Sequence, residues 1–263
     1  MRLYVEVAKR AFARQTTYRA SNLAGLTTNV FFGILRTYLF IGLYAGRDIE
    51  AGWTLQDAIA FVWLGQALLM PIHMWVDSEL AETIRSGDVV SDLSKPFDYY
   101  LFWLSKDAGR ALFHVVFRFV PTLAFGLLLF DVQLPSDSGR WLAFAVSMVL
   151  AVWISFGVRF LVNVSTFWML DQRGLAVALM FAASFLSGFL VPLNYWPEAA
   201  SAVVVWLPFA GMVQAPMDVI LGKAFGLEVL NVLVFQLAWA LTLLVVGRLV
   251  VTLAIRRVVT QGG

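Results

Sequence analysis

The sequence offers few residues that could do chemistry. Cysteine is absent, and the only histidines are His73 and His114. Neither has clustered carboxylates beside it, so we expect a packed or interfacial histidine at each position and no bound metal. No nucleotide-binding G-x-x-x-x-G-K-[ST] pattern occurs, because Gly222 and Lys223 are followed by Ala224. The H-E-x-x-H and G-x-S-x-G patterns are also missing. We therefore expect a chain that is not an enzyme and binds no cofactor itself.

The composition indicates a membrane protein. Of 263 residues, 60% are apolar and 14% are charged, against ~25% charged residues in an ordinary soluble domain. A soluble domain of this size could not bury so many apolar side chains. This composition excludes a disordered chain, a nucleic-acid-binding module and most soluble enzymes. The lack of cysteine excludes a disulfide scaffold.

Six apolar stretches are long enough to cross ~30 Å of hydrocarbon, which takes about 20 helical residues. Backbone polar groups find no water in lipid, and the alternation of barrel strands is absent, so each stretch should be a helix. We predict an all-α integral membrane fold with one six-span transmembrane domain over 22–263. The predicted transmembrane helices lie at about 22–44, 55–76, 111–130, 141–168, 175–191 and 229–254.

The distribution of Lys and Arg predicts the orientation. If the N-terminus is cytoplasmic, twelve of these residues fall in cytoplasmic segments and three, Arg47, Arg140 and Lys223, fall outside. This bias predicts a multi-pass protein with both termini in the cytoplasm. The segment 1–21 should form an amphipathic interfacial helix, with its cations facing anionic headgroups. It either anchors the topology or acts as an elbow beside a lateral substrate gate.

The connection at 77–110 predicts two short helices. Acidic residues precede Arg85, and Gly87 follows at the position of a left-handed cap. A second turn can start at Asp88 and must end before Pro96. Two short helices cannot bury their own apolar side, so they either dock onto a soluble partner or fold back onto the chain's own helix ends. The apolar residues concerned are Leu80, Ile84, Val89 and Leu93.

The outer segment 192–224 carries four prolines and a short apolar stretch at 199–207, which is too short to span. It predicts a re-entrant hairpin, or else an outer loop lying on the membrane.

Four arginines fall within predicted spans, where a charge is costly. Arg118, Arg159 and Arg248 can snorkel toward cytosolic headgroups or pair within the bundle. Arg36 either lines a polar cavity and meets an anionic substrate group, or it snorkels outward or forms a structural ion pair. The acidic residues fall in the predicted loops, apart from Asp57 near an outer end. This sequence therefore shows no buried carboxylate relay, and a transporter powered from elsewhere is favoured over a proton-driven or sodium-driven carrier.

This layout resembles the membrane subunit, or permease, of type-2 ATP-binding-cassette (ABC) exporters of a bacterial branch. The stretch 84–100, IRSGDVVSDLSKPFDYY, is similar to the family's hydrophobic-x-x-G…L-x-x-P loop. The stretch 187–198, SGFLVPLNYWPE, is similar to the family's entry into the outer hairpin. The resemblance covers the whole chain.

The resemblance implies a mechanism and partners. Two permeases, of the same or different sequence, would form the pathway in the bacterial cytoplasmic membrane, among membrane lipids. A separate pair of ABC ATPase subunits would bind ATP and Mg. Coupling to the ATPase would use Leu80, Glu82, Ile84, Arg85, Gly87, Asp88, Val89 and Leu93. The substrate pathway would be lined by Asn29, Arg36, Thr37, Gln66, Ser184 and Ser187. Two other interpretations stay open: an accessory scaffold subunit of a membrane complex, and an integral membrane enzyme that modifies lipids.

Overall fold

The chain forms a helical bundle, and in its described part five helices are long and apolar enough to cross a membrane. The computed structural model describes residues 1–46, 49–50, 52–130, 132–169 and 171–261. The five candidate spans are Arg19–Leu43, Leu55–Ile72, Tyr99–Phe130, Ser138–Phe167 and Leu227–Arg256. The predicted all-α membrane fold is confirmed. The stretch predicted as the fifth span is a helix of 14 residues, about 21 Å long and shorter than the hydrocarbon core.

Over the residues that the structure describes, twelve α-helices follow one another with short connections. They are α1 (Arg2–Gln15), α2 (Arg19–Leu43), α3 (Leu55–Ile72), α4 (Glu79–Ser86), α5 (Val89–Leu93), α6 (Tyr99–His114), α7 (Val120–Phe130), α8 (Ser138–Val164), α9 (Arg173–Leu186), α10 (Glu198–Val204), α11 (Gln214–Ile220) and α12 (Leu227–Gln261). A π-helical turn, Val115–Phe119, joins α6 to α7. Short 3₁₀ turns lie at Ser165–Phe167 and Leu193–Tyr195. A small antiparallel hairpin pairs β1 (Ile49–Glu50) with β2 (Trp53–Thr54). Arg47, one of the three basic residues predicted to lie on the outer side, is outside the described residues.

Helix α3 is the centre of the bundle. It is apolar around its whole circumference, so it can be buried on every side. Thr54 and Asp57 cap its start with reciprocal hydrogen bonds between side chain and backbone. Its end comes at Ile72, before the predicted residue 76, because Pro71 cannot continue the backbone hydrogen bonding and His73 adopts a left-handed conformation with φ 58°.

The other helices pack around α3 in pairs. Helix α2 packs on α3, α12 packs along α8, and α1 packs along α6. Helices α1 and α6 approach each other closely at Gly109, which has no side chain. A side chain at this position would collide with the backbone of Ala8. Helices α2, α9 and α12 leave most of their apolar surface uncovered within the chain, as expected for helices that face lipid or another subunit.

The third span begins earlier than the sequence predicted. A single helical rod runs over Tyr99–Phe130, so the predicted loop 77–110 ends at Asp98, whose side chain caps α6 by accepting from the backbone N–H of Leu101. The charges of Lys106, Asp107 and Arg110 suggested a loop. Instead they lie inside the helix, where each has an ionic partner.

Candidate functional site

The predicted pair of short helices is present as α4 and α5. Gly87 ends α4 with φ 82°, a conformation that glycine adopts without strain. The apolar side of the pair, however, lies against the chain's own bundle. Leu80 is 4% exposed and Val89 is 2% exposed, and both lie in a cluster with Tyr100 and Phe160. Ile84 and Leu93 pack against the same cluster.

Within the chain, Leu80 and Val89 are covered by α6, α8 and α12, and Ile84 and Leu93 are partly buried against the same cluster. The two short helices thus fold back onto the chain's own helix ends. A role of these four residues in coupling to an ATPase stays a prediction. The outward side of α4 and α5 carries Glu82, Arg85, Gly87, Asp88 and Val90 instead. Val90 is 51% exposed.

Glu79 joins three elements at one end of the bundle. Its carboxylate, on α4, accepts from Lys106 of α6 at 2.5 Å and from Arg14 of α1 at 3.0 Å. Burial opposes ionisation of Glu79, but the hydrogen bonds and charges of Lys106 and Arg14 outweigh burial and lower the pKa of its carboxyl group. The N-terminal helix is thus tied to the short helix α4 by charge.

A buried ionic cluster lies behind α4. Asp107 of α6 accepts from Arg110 at 2.8 Å and from Arg159 of α8 at 2.9 Å, and all three side chains are at least nine-tenths buried. The Arg110 guanidinium also donates to the backbone carbonyls of Met70 and Pro71 at the end of α3. The cluster therefore links α3, α6 and α8, and it satisfies carbonyls that the end of α3 leaves free.

Sequence reasoning missed this cluster. Asp107 and Arg110 were assigned to a loop, and the expectation that no carboxylate is buried between spans is wrong at Asp107. The signal that could have found them is their spacing: Asp107 and Arg110 stand three residues apart, which places them on one face of a helix. Arg159 pairs within the bundle, as one of its two interpretations allowed. Arg248 also forms an ion pair, at 2.7 Å with Asp98.

Two adjoining cavities, of about 390 and 330 Å³, open beside this cluster. The larger lies between α1, α4, α6 and α8, and the smaller lies between the start of α2 and helices α3 and α6. Gln15, Tyr18, Asp77 and Arg110 line both of them. This end of the bundle is therefore hollow, polar and charged.

The residues predicted to line a substrate pathway lie in two groups, one on α2 and α3 and one at the end of α9. They make contacts within the chain. Asn29 donates to the backbone carbonyl of Gln66 at 3.0 Å. The hydroxyls of Thr37 and Ser184 donate to carbonyls in their own helices. Ser187 accepts from the backbone N–H of Phe189. None of the six residues lines either described cavity, and a pathway formed with a second chain stays a prediction.

Arg36 holds irregular backbone beyond the end of α9. It donates to the carbonyls of Phe189 and Leu190 at 2.8 and 2.9 Å, and its guanidinium lies over the Phe189 ring at 5.1 Å. Nearby, the buried Gln214 side chain accepts from the Leu193 backbone N–H at 3.1 Å. These contacts satisfy backbone groups of the non-helical segment that follows α9, which would otherwise lack partners inside the protein.

Taken together, these features define a multi-span helical membrane protein with a charged, hollow end. The family model described as ABC-2 family transporter protein matches residues 31–262. The chain therefore belongs to the ABC-2 transporter family, and it is a membrane component with the role of a transport permease. No curated protein and no solved structure matches the chain significantly.

Proposed function

We propose that this chain is the permease subunit of an ATP-driven exporter. It forms half of the substrate pathway in a bacterial cytoplasmic membrane, with both termini in the cytoplasm. A second permease, of the same or different sequence, forms the other half. Separate ABC ATPase subunits bind ATP and Mg and supply the force.

The observation that carries this proposal is the two-sided arrangement of α4 and α5. Their inner side is buried against α6, α8 and α12, so a push on these short helices reaches three long helices directly. Their outer side presents the charged residues Glu82, Arg85 and Asp88 and the apolar Val90, all of them exposed. A small apolar centre with a charged rim is the usual anatomy of a protein interface. The ATPase docks on this outer side, while the buried residues transmit the motion.

The test uses the full chain expressed with an ABC ATPase from the neighbouring genes. Val90→Asp and Arg85→Glu should each abolish co-purification and stimulation of ATP turnover, because they place a wrong charge in the contact. Val203→Asp is the matched control, since Val203 of α10 is 63% exposed and lies in the other, proline-rich connection. The control should behave as wild type. Wild-type turnover and co-purification for both α4–α5 variants would refute the docking surface.

A further inference from the structure

The smaller cavity holds polar groups that have no partner. His73 and His114, which are 5% and 3% exposed, both line it. Among the described residues, neither ring nitrogen of His73 has a hydrogen-bond partner, and Nδ1 of His114 has none. Nε of Arg118, a third lining residue, is also buried without a partner. Buried donors and acceptors are nearly always paired in folded proteins. The unpaired nitrogens of these three side chains therefore indicate that a ligand binds in the cavity.

The charge around the cavity is unbalanced. Three arginines are buried at this end, Arg110, Arg118 and Arg159, whereas Asp107 is the one buried acid among the described residues there. Asp77 also lines the cavity, but its side chain is 70% exposed, and its carboxylate lies 3.8 Å from Nε2 of His73. Buried charges are normally paired. An anion in the cavity would balance the surplus.

The backbone is arranged to hold these groups in place. His73 has a positive φ of 58°, which other described residues adopt only where they are glycine, and such strain is commonly kept at functional positions. The guanidinium of Arg118 is fixed by the carbonyl of Asn22 at 3.0 Å and the side-chain oxygen of Asn29 at 3.2 Å. Gly25 leaves the space that this guanidinium occupies, because a side chain there would collide with it.

We propose that this cavity is a phosphate-binding site. Two arginines and two histidines supply several donors on different sides of one space, which suits the oxygens of a phosphate group. The cavity is also lined by Ser21 and Gly25, in the first two turns of α2, so it reaches roughly 9 Å from the start of a span. The start of a span is where lipid headgroups meet the protein, and the phosphate comes either from a membrane lipid or from free phosphate. The site does not depend on docking of an ATPase.

The experiment measures ligand binding to the full chain in neutral detergent, by native mass spectrometry and thermal melting. The probes are dioleoyl phosphatidic acid, dioleoylglycerol with the same acyl chains, and inorganic phosphate. Phosphatidic acid or inorganic phosphate should bind and raise the melting temperature, and dioleoylglycerol should not. If only phosphatidic acid binds, the source is a lipid headgroup. If inorganic phosphate binds equally tightly, the source is the free ion.

Variants locate the binding. Arg118→Gln should weaken phosphate binding by about tenfold or more, because it removes a charged donor. Since Arg118 also supports α2, His73→Asn is the second variant: His73 makes no side-chain hydrogen bond, and asparagine tolerates its left-handed backbone. Arg248→Gln, in an ion pair outside the cavity, is the control and should bind normally. The proposal fails if neither phosphate-bearing probe binds better than dioleoylglycerol, or if a folded His73→Asn variant binds like wild type.

Discussion

The two ends of the bundle solve one problem in different ways. At both ends a helix stops within the protein, and side chains must bond the backbone groups that the helix no longer satisfies. At the α4 end, Arg110 bonds the last carbonyls of α3, and Ser155 donates to the carbonyls of Ile72 and His73. The other end holds the segment from the end of α9 through α11, which the sequence predicted as an outer hairpin, and is called the hairpin end. There Arg36 donates to the carbonyls that follow α9, and the neutral side chain of Gln214 accepts from the Leu193 N–H.

The difference lies in what surrounds these bonds. The hairpin end has a balanced ion pair, Lys223 with Asp57 at 2.8 Å, and α11 is packed tightly there, with Met217 fully buried. The α4 end has surplus positive charge, two cavities and short helices tied by ion pairs. Close packing resists small displacements, whereas a hollow charged region can rearrange and admit ligands. We therefore expect motion and binding at the α4 end and rigidity at the hairpin end.

The largest effect should come from Asp107→Asn. This change leaves Arg110 and Arg159 buried without their counter-charge, which should cost about 3–5 kcal/mol of stability. Thermal melting in detergent measures the loss. Asp98→Asn is the control, because the pair of Asp98 with Arg248 is partly exposed and should contribute only about 0–1 kcal/mol. Equal melting temperatures for the two variants would show that the buried cluster is not structural.

A smaller loss should follow Gln214→Leu at the hairpin end. The change removes the acceptor of the buried Leu193 N–H and the donor to Asp218, and an unpaired buried donor costs about 1–3 kcal/mol. Gln133→Leu, at an exposed position between α7 and α8, serves as the surface comparison. If Gln214→Leu destabilised the protein more than Asp107→Asn, neutral bonding would be the stronger support, and the contrast between the ends would be reversed.

The smallest effect should be local and dependent on pH. Since the pKa of Glu79 is lowered in the folded protein, its contribution is present above its unfolded pKa of about 4.3 and is lost as the pH falls through the folded value. Amide hydrogen exchange should therefore show α1 and α4 losing protection as the pH is lowered below about 4.3, at matched intrinsic exchange. Glu79→Gln should remove this pH dependence. An unchanged pH profile in that variant would show that Glu79 does not hold α1 to α4.

The sequence was sufficient for the membrane class, the helical fold, the short helices α4 and α5 and the left-handed Gly87. These follow from the composition, from the length of the apolar stretches and from local capping, all of which can be determined from the sequence without knowing which helices are neighbours. Only the tertiary structure decided that Leu80 and Val89 face inward, and that Asp107, Arg110 and Arg159 meet. It also decided that His73, His114 and Arg118 share one cavity. Such contacts join helices that are far apart in sequence. A charged residue can be buried only with a partner, and the position of that partner is known only when the helices are packed together.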